Sequence, residues 1–242
     1  MPQNALSAAP SFAGVLAAAE AIVPTLPPTP AWSYPILDAR AGARVIVKHE
    51  NAQPTGAFKV RGGVALAATL DRDERARGVV TVSTGNHAQS IAFAARAGGF
   101  EAIIVMPLSA PAVKVDAVIA LGATVIIHGE DMPAACAHAR ELATTSGMRW
   151  IDPGAEHAII HGHATVALEL LRSHPEIETL YVPIGSGSGA AGAILVRDAI
   201  APGTRIVGVQ SASAPAAHRS WRSGRIETAA ISTFASGLAT GV

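Results

Sequence analysis

The chain has little charge, few aromatic residues and one cysteine, and each shortage narrows the functions open to it. Its 242 residues include 18 Lys and Arg against 18 Asp and Glu, so the formal net charge is zero. This balance provides no basic face for nucleic acid and no patch for an anionic membrane. Cys136 alone cannot build an internal disulfide framework, which suits a reducing cytoplasm. We therefore expect a cytoplasmic protein that binds neither nucleic acid nor membrane.

Long hydrophobic runs are also missing. No uninterrupted stretch of about 18 apolar residues suggests a membrane span, and no basic segment followed by an apolar run suggests a secretory signal. What the chain does have is 50% hydrophobic residues and 23 glycines. This composition is typical of an α/β enzyme whose turns are rich in glycine. The length suffices for one large domain or two smaller ones.

Short runs of Val and Ile alternate with helical patterns along the chain. The predicted strands span residues 43–50, 78–84, 101–107, 123–129, 179–185 and 205–211. The predicted helices span residues 86–97, 110–121, 132–146, 160–173 and 190–200. The strand runs are continuous rather than alternating, as expected for parallel strands covered on both faces. The alternation predicts right-handed βαβ units in an open parallel sheet, with ligands at the carboxyl ends of the strands.

The first informative loop is VPIGSGSGAAGAILV at residues 182–196, where a Gly/Ser run joins a strand to a helix. Glycines permit positive φ angles, and the uncovered amides together with the helix N-terminus can cradle a phosphate. No Gly-Lys-Ser/Thr ends the run, so it is not the nucleotide P-loop. Gly187 to Gly192 match G-x-G-x-x-G, but no acidic residue closes the next strand, where a dinucleotide would need one. The alternative is a turn that only packs the helix close to the strand.

A second loop, VSTGNHAQSIAFAARAGG at residues 82–99, leads from a strand into an amphipathic helix. Hydroxyl, amide and backbone N–H groups gather at this helix start, an arrangement that suits a carboxylate. The alternative is ordinary N-capping of the helix by Ser83, Thr84 or Asn86.

The third informative stretch is HENAQPTGAFKVRGG at residues 49–63, which contains Lys59. A lysine is exposed by default, but Phe58 and Val60 give this one apolar neighbours. Desolvation lowers the pKa of a lysine amine and prepares it for Schiff-base chemistry. Arg61 could add like charge and lower that pKa further. A candidate Schiff-base lysine, a carboxylate loop and a phosphate loop that is not a nucleotide loop together meet the needs of a pyridoxal 5′-phosphate (PLP) enzyme.

These three motifs, in this order, closely resemble the threonine/serine dehydratase-like group of PLP enzymes, which is of the tryptophan-synthase-β type (fold type II). The resemblance extends from about residue 20 to the end of the chain. It implies an α/β fold with open, mostly parallel twisted sheets and flanking helices in two domains. The larger, PLP-binding domain would comprise residues 1–77 and 150–242. The smaller domain, with the substrate loop, would comprise residues 78–149.

The resemblance also implies roles for individual residues. Lys59 would hold PLP as a Schiff base and then act as the catalytic base, with Phe58 beside it in the cofactor site. Asn86 would bond the phenolic oxygen of the cofactor. The loop that holds the substrate carboxylate would consist of Ser83, Thr84, Gly85, Asn86 and His87. The cofactor phosphate would be held by Gly185, Ser186, Gly187, Ser188 and Gly189.

The reaction implied is an ammonia-lyase (dehydratase) reaction. A β-hydroxy amino acid such as L-threonine or L-serine, or a bulkier 3-hydroxy relative, would yield a 2-oxo acid and ammonia. The alternatives are a PLP-dependent amino-acid racemase or β-replacement synthase, and a truncated paralogue that binds ligand without turnover. Relatives are usually dimers or tetramers, so a homodimer or homotetramer is expected. The side chain that the substrate carries depends on pocket shape and stays open.

The chain departs from the group's pattern in four places. Thr84 stands where racemases of the group carry a second Ser, which disfavours racemase activity. Residues 210–218 contain no carboxylate where metal-binding relatives have acidic residues, so no divalent metal is expected.

Relatives usually have Gly-Gln-Gly-Thr where this chain has Gly162-His163-Ala164-Thr165. His161 and His163 are two positions apart and do not share a helix face, so we interpret them as packing or solvent-facing residues rather than metal ligands. Relatives are also longer, with a Ser or Cys for the pyridine nitrogen in their last part, so we expect the chain to be C-terminally incomplete.

Overall fold

A computed structural model describes residues 9–241 of the chain, so the outermost residues of the predicted large domain, 1–8 and 242, lie outside the described residues. The helices are α1 (Phe12–Ile22), α2 (Pro35–Ala41), α3 (Lys59–Thr69), α4 (Arg72–Arg77), α5 (Asn86–Gly98), α6 (Ala112–Ala120), α7 (Met132–Ser146), α8 (His157–Ser173), α9 (Ser188–Ile200) and α10 (Ala216–Ser223). The strands are β1 (Ala31–Ser33), β2 (Ile46–Lys48), β3 (Val79–Val82), β4 (Ala102–Met106), β5 (Thr124–Ile127), β6 (Arg149–Trp150), β7 (Thr179–Pro183) and β8 (Arg205–Val209). Single 3₁₀ turns cover Glu50–Ala52 and Ser236–Leu238.

A parallel four-stranded sheet in the order β5-β4-β3-β6 organises the middle of the chain. Every residue of β3 is buried, as its continuous Val/Thr sequence predicts for a covered strand. Val79 packs in the same core as Ile91 of α5, whereas Val80 packs with Ala139 of α7. Helices therefore cover both faces of this sheet, and the loop after β3 opens at its carboxyl edge.

The second part of the fold is built mainly from packed helices. α8 packs against both α3 and α9, and α1 packs against all three of these helices. The cores between them contain Val60, Val15 and Val196. The parallel pair β7 and β8 flanks α9. This arrangement points the start of α3 and the start of α9 toward the same space.

The expected α/β class, with parallel sheets and flanking helices, is confirmed. The domain boundaries at residues 78 and 149 stay a prediction, although the whole four-stranded sheet lies between β3 and β6. One strand prediction needs correction, because β2 pairs antiparallel with β1 rather than joining a parallel sheet. Helices of the kind that could span a membrane, both long and apolar, do not occur within residues 9–241.

Two adjacent glycines in α3 explain how its neighbours come so close. A Cβ on Gly62 would lie 2.5 Å from Nε2 of His163 in α8, and one on Gly63 would lie 2.5 Å from the backbone oxygen of Ser90 in α5. Glycine disfavours a helix interior, yet only glycine leaves space for both neighbours here. The Gly-Gly pair after Lys59 therefore serves helix packing.

Candidate active site

Lys59 lies at the first position of α3, with its backbone fixed from two sides. Its carbonyl oxygen accepts a hydrogen bond from Ser90 Oγ of α5 at 2.6 Å and another from His163 Nε2 of α8 at 3.3 Å. Its side chain reaches across to the start of α9. There the Lys59 amine donates to Ser188 Oγ at 3.1 Å and lies 3.5 Å from Ser186 Oγ. Two of the three predicted motifs therefore meet at Lys59.

Burial lowers the pKa of the Lys59 amine from 10.5 to about 8. Loss of hydration disfavours the charged ammonium, so the amine is more easily deprotonated than that of a surface lysine. The expectation that Arg61 adds to this shift through like charge is not supported, because the shift arises from burial. Arg61 is fully buried between Glu50 and Glu169, with N–O distances of 2.8 Å and 2.6 Å, so its charge is locally compensated.

The Gly/Ser loop joins β7 to α9 and presents a helix N-terminus to the Lys59 amine. Gly187 adopts a φ of 86°, a left-handed conformation that favours glycine. A Cβ on Gly185 would lie 2.6 Å from the backbone oxygen of Gly237, so this position also requires glycine. The first amides of α9 have no partner within their own helix. Together with the Ser186 and Ser188 hydroxyls, they form a group of donors suited to a phosphate.

The loop after β3 lies across the cavity and leads into α5. The Gly85 N–H bonds Ser83 Oγ at 3.1 Å, which tightens the loop itself. In the described chain, no side chain caps the first turn of α5. The N-capping alternative for Ser83, Thr84 or Asn86 is therefore wrong for this helix. Its first backbone amides remain available for an anion such as a carboxylate.

His87 belongs to this loop in the sequence, but its side chain turns to the sheet. Its Nε2 lies 3.0 Å from Thr81 Oγ1, whose hydroxyl donates to the Ile151 carbonyl oxygen at 2.9 Å. Because the only Thr81 proton goes to Ile151, His87 Nε2 must carry a proton and donate it. Burial, followed by the Lys59 charge, lowers the pKa of His87 to about 3, so the ring is neutral. The His87 side chain therefore anchors the start of α5 to the sheet.

The motifs enclose one cavity of about 440 Å³. Its lining includes every predicted site residue, namely Phe58, Lys59, Ser83, Thr84, Gly85, Asn86, His87, Gly185, Ser186, Gly187, Ser188 and Gly189. Phe58 lies under the lysine, with the amine 5.4 Å from the ring centroid. The structure thus brings all of these residues together. Their individual roles stay predictions.

Two contributors were missed by the sequence interpretation. Residues 236–240 also line the cavity, and Thr240 Oγ1 donates to the Gly185 carbonyl oxygen at 3.2 Å. His163, interpreted as a packing or solvent-facing residue, is 2% exposed and bonds Ser188 Oγ at 3.0 Å. Both contacts join distant parts of the chain. The only local signal for these contacts was that His163 is a polar residue next to the glycines of α3.

Within residues 9–241, no group of three His, Cys, Asp or Glu side chains that could hold a metal ion is found. The donors that are present suit an organic ligand instead. A phosphate fits the start of α9, a carbonyl carbon could react with the Lys59 amine, and a carboxylate fits the start of α5. The cavity residues therefore fit a phosphorylated aldehyde cofactor together with an amino acid.

Comparison with known proteins supports that reading of the donors. The family model described as pyridoxal-phosphate dependent enzyme matches residues 22–242. The chain is 37% identical over 212 residues to the biosynthetic L-threonine dehydratase of Pasteurella multocida, covering 87% of this chain and 41% of that protein. It is 36% identical over 217 residues to the L-threo-3-hydroxyaspartate ammonia-lyase of Saccharomyces cerevisiae, covering 90% and 67%.

Solved structures of similar proteins share the fold over almost the whole chain. Maize serine racemase matches with a TM-score of 0.93 and 34% identity over 97% of this chain and 71% of its own. The processed threonine deaminase isoform 2 of Solanum lycopersicum matches with a TM-score of 0.89 and 33% identity, covering 95% and 68%. The chain spans about 41% of the length of the first curated relatives that it matches.

Proposed function

This chain belongs to the family of pyridoxal-phosphate dependent enzymes, and we propose that it is an ammonia-lyase acting on a β-hydroxy amino acid. L-threonine and L-serine are the first candidate substrates, with a 2-oxo acid and ammonia as products. The observation that carries the proposal is the position of the Lys59 amine, 3.1 Å from Ser188 Oγ in a cavity that is also lined by the start of α5. Similarity to threonine dehydratases supports the choice of reaction.

The cofactor would be held at three points. Residues 185–189 and the first amides of α9 would bind its phosphate, and the Lys59 amine would hold its aldehyde carbon covalently. Phe58 would lie beside it, and Asn86 would bond its phenolic oxygen. We also propose that residues 78–149 form the domain that brings the substrate loop to this site.

The chain's own residues supply the proton and the orientation. Pyridoxal 5′-phosphate, when bound, supplies an electron sink for the charge that develops at the substrate α-carbon. Residues 83–87 would bind the substrate carboxylate and fix the α-carbon within reach of Lys59. Once the substrate amino group has replaced it at the aldehyde carbon, the freed Lys59 amine would take the α-proton, since its pKa of about 8 leaves part of it unprotonated near neutral pH. The β-hydroxyl would then leave with one proton as water, and another water molecule would hydrolyse the released unsaturated amine to the 2-oxo acid and ammonia.

Racemisation is the second candidate, because maize serine racemase is a strong structural match. A racemase needs a second proton carrier on the opposite face of the α-carbon. Thr84 lines the same cavity and carries a hydroxyl, but it stands where racemases of the group carry a Ser. This candidate therefore ranks below the lyase.

The test begins with cofactor loading of the purified chain. We expect an absorbance band near ~410–420 nm that borohydride fixes on Lys59, located by peptide mass mapping. L-threonine, L-serine and L-threo-3-hydroxyaspartate are then supplied, and 2-oxo acid, ammonia and D-amino acid are measured. Oxo acid with equal ammonia supports the lyase, whereas D-serine alone supports the racemase. A labelled Lys59 without either product identifies a ligand-binding paralogue, and no labelling of the folded protein refutes the proposal.

The assembly is proposed to be a homodimer or homotetramer. Sedimentation equilibrium of the loaded chain measures this directly, and a monomer at all concentrations would contradict it.

A further inference from the structure

A closed circuit of hydrogen bonds begins and ends on Lys59. The Lys59 amine reaches Ser188 Oγ at 3.1 Å, Ser188 Oγ reaches His163 Nδ1 at 3.0 Å, and His163 Nε2 reaches the Lys59 carbonyl oxygen at 3.3 Å. The three residues come from α3, α9 and α8. Ser188 is 3% exposed and His163 is 2% exposed, so solvent competes little for these contacts.

The direction of each bond follows from what each atom can donate. A carbonyl oxygen only accepts, so the proton in the contact between His163 and Lys59 belongs to His163 Nε2. Burial is the largest cause that holds the pKa of His163 well below its ordinary 6.5, so the ring is neutral and Nδ1 carries only a lone pair. The Ser188 hydroxyl must therefore donate to Nδ1. Ser188 Oγ then has only lone pairs for the Lys59 amine.

We propose that His163 is a positioning residue for Lys59, which acts by accepting the hydrogen bond of the Ser188 hydroxyl, so that Ser188 Oγ can only accept from the amine. The catalytic meaning of this circuit rests on the proposed function, while the circuit itself belongs to the ligand-free chain. An amine that donates one N–H to Ser188 keeps its own lone pair for the substrate α-proton. If Ser188 donated instead, it would occupy that lone pair and block the base.

The same circuit separates the roles of the two loop serines. The Ser188 proton is committed to His163, so Ser188 would offer a cofactor phosphate its backbone N–H rather than its hydroxyl. Ser186 Oγ lies 3.5 Å from both Ser188 Oγ and the Lys59 amine. Ser186 is therefore the hydroxyl of this loop that can turn to a phosphate.

Other charged and titratable groups face the circuit from the neighbouring helices. Arg61 of α3 lies close but is paired with Glu50 and Glu169. His87 of α5 is neutral, because burial lowers its pKa to about 3. Neither group supplies a bond to the Lys59 amine among those found in the described residues. Ser188, at 3.1 Å, is therefore the shorter of the two hydroxyl contacts of that amine, with Ser186 at 3.5 Å, and His163 acts on the amine through Ser188.

A packing role alone is the alternative for His163. Its ring lies 4.9 Å from the Phe58 ring centroid at an interplanar angle of 72°, and it occupies the space above Gly62. A residue that only packs would affect folding but would leave the acidity of Lys59 unchanged. The acidity of Lys59 is therefore the quantity that separates the two roles.

The experiment measures the Lys59 pKa in the full chain without added cofactor. The rate of acetylation by trace acetic anhydride is followed from pH 6 to 11 by peptide mass spectrometry, with Lys114 as the internal reference. His163→Met and His163→Gln form a matched pair of similar length, since Gln supplies one acceptor and one donor, as neutral His does. His161→Met, on the same helix, is the control.

We expect His163→Met to lower the Lys59 pKa by about one unit, because the freed Ser188 proton then binds the neutral amine. His163→Gln and His161→Met are expected to leave that pKa in place. Ser188→Ala should also lower it, and adding His163→Met to Ser188→Ala should change nothing further. An unchanged Lys59 pKa in folded His163→Met, or equal shifts in the Gln and Met variants, would overturn the proposal.

A second measurement needs no variant and covers the case in which His163→Met does not fold. The ¹⁵N shifts of His163 in the unaltered chain should identify a neutral ring with the proton on Nε2, and a proton on Nδ1 would overturn the proposal. Both measurements use the cofactor-free chain. Failure of Lys59 to take up PLP would therefore sink the proposed function and leave the test of this circuit intact.

Discussion

Two buried histidines lie behind the two helix starts that face the cavity, and each bonds a hydroxyl at 3.0 Å. Behind α5, the Thr81 hydroxyl donates to the Ile151 carbonyl oxygen, so His87 must donate to Thr81. Behind α9, the Ser188 hydroxyl bonds no carbonyl oxygen within residues 9–241, and His163 donates its own proton to the Lys59 carbonyl oxygen. The pairs use the same groups with opposite direction.

This difference shows that a third partner decides what a histidine–hydroxyl pair can do. The Thr81 pair ends on a sheet carbonyl and fixes the start of α5 to β3. The Ser188 pair ends on the Lys59 amine, and Ser188 Oγ accepts a hydrogen bond from that amine. We therefore expect changes behind α5 to affect mainly stability, and changes behind α9 to affect mainly the chemistry of Lys59.

The largest expected effect comes from removing the Lys59 amine, which the Ser188–His163 pair behind α9 contacts. Lys59→Ala should abolish borohydride-dependent labelling at residue 59 and lower turnover by at least about 10³-fold, since both the covalent anchor and the base are lost. Turnover of the purified variant with added PLP is the measurement. Lys48→Ala, a change to another partly buried lysine, should retain the label on Lys59. A Lys59→Ala enzyme with full activity would refute the mechanism.

Acid should affect both histidine pairs together. The pKa of His87 is about 3 in the folded chain and that of His163 is well below 6.5, whereas in the unfolded chain both are close to 6.5. Above pH 6.5 the rings are neutral in both states and their full contribution to stability is present. Below pH 6.5 only the unfolded chain takes up the protons, so stability falls with pH. Between pH 7 and pH 5 His87 alone should remove about 2 kcal/mol of the free energy of unfolding, and His163 should add to this loss in the same direction.

Urea unfolding at pH 7, 6 and 5 measures this loss. His161, whose pKa is also lowered by partial burial, adds a smaller share. The carboxylates with lowered pKa, such as Glu169, titrate below this range. A chain that carries His87→Gln and His163→Gln should show a much weaker dependence on pH. An unchanged slope in that double variant would mean that other groups cause the acid sensitivity.

The sequence predicted three strands of the four-stranded sheet well because their pattern is local. Continuous Val/Ile runs placed β3, β4 and β5 within one or two residues of their observed bounds, and α7 was placed at its exact limits, Met132–Ser146. The antiparallel pairing of β2 was missed, since a three-residue strand carries no record of its partner. α3 was also missed, because its adjacent glycines disfavour a helix until α5 and α8 are packed against them.

The candidate site shows the same division between local and distant information. The loops at residues 83–87 and 185–189 were found because each has its own motif, and both line the cavity. His163 and Thr240 were missed because their contacts with Ser188 and Gly185 join residues 25 and 55 positions apart. The motifs therefore predicted which segments meet, but not the hydrogen bonds between them or which partner donates in each.

A smaller effect is expected from breaking the pair on the α5 side. Thr81→Val leaves the His87 N–H and the Ile151 carbonyl oxygen without their buried partner, which should cost about 1–3 kcal/mol of stability. The Lys59 pKa should stay the same, in contrast with Ser188→Ala. Thermal or urea unfolding and the acetylation rate of Lys59 measure the two quantities. Thr81→Ser, which keeps the hydroxyl, should lose less stability, and a Lys59 pKa shift in Thr81→Val would remove the distinction between the pairs.

The smallest expected effect concerns residues 236–240, which form the wall of the cavity next to the loop before α9. Thr240→Val removes the hydroxyl that donates to the Gly185 carbonyl oxygen at 3.2 Å, and one such bond contributes about 1 kcal/mol. Because that bond holds the wall to the phosphate loop, we expect a weakening of PLP binding by roughly 5-fold, with global stability nearly unchanged. Fluorescence titration with PLP measures the binding, and Thr240→Ser is the matched control. Equal PLP affinity in the Val and Ser variants would mean that the Thr240 hydroxyl does not contribute to holding the wall against the phosphate loop.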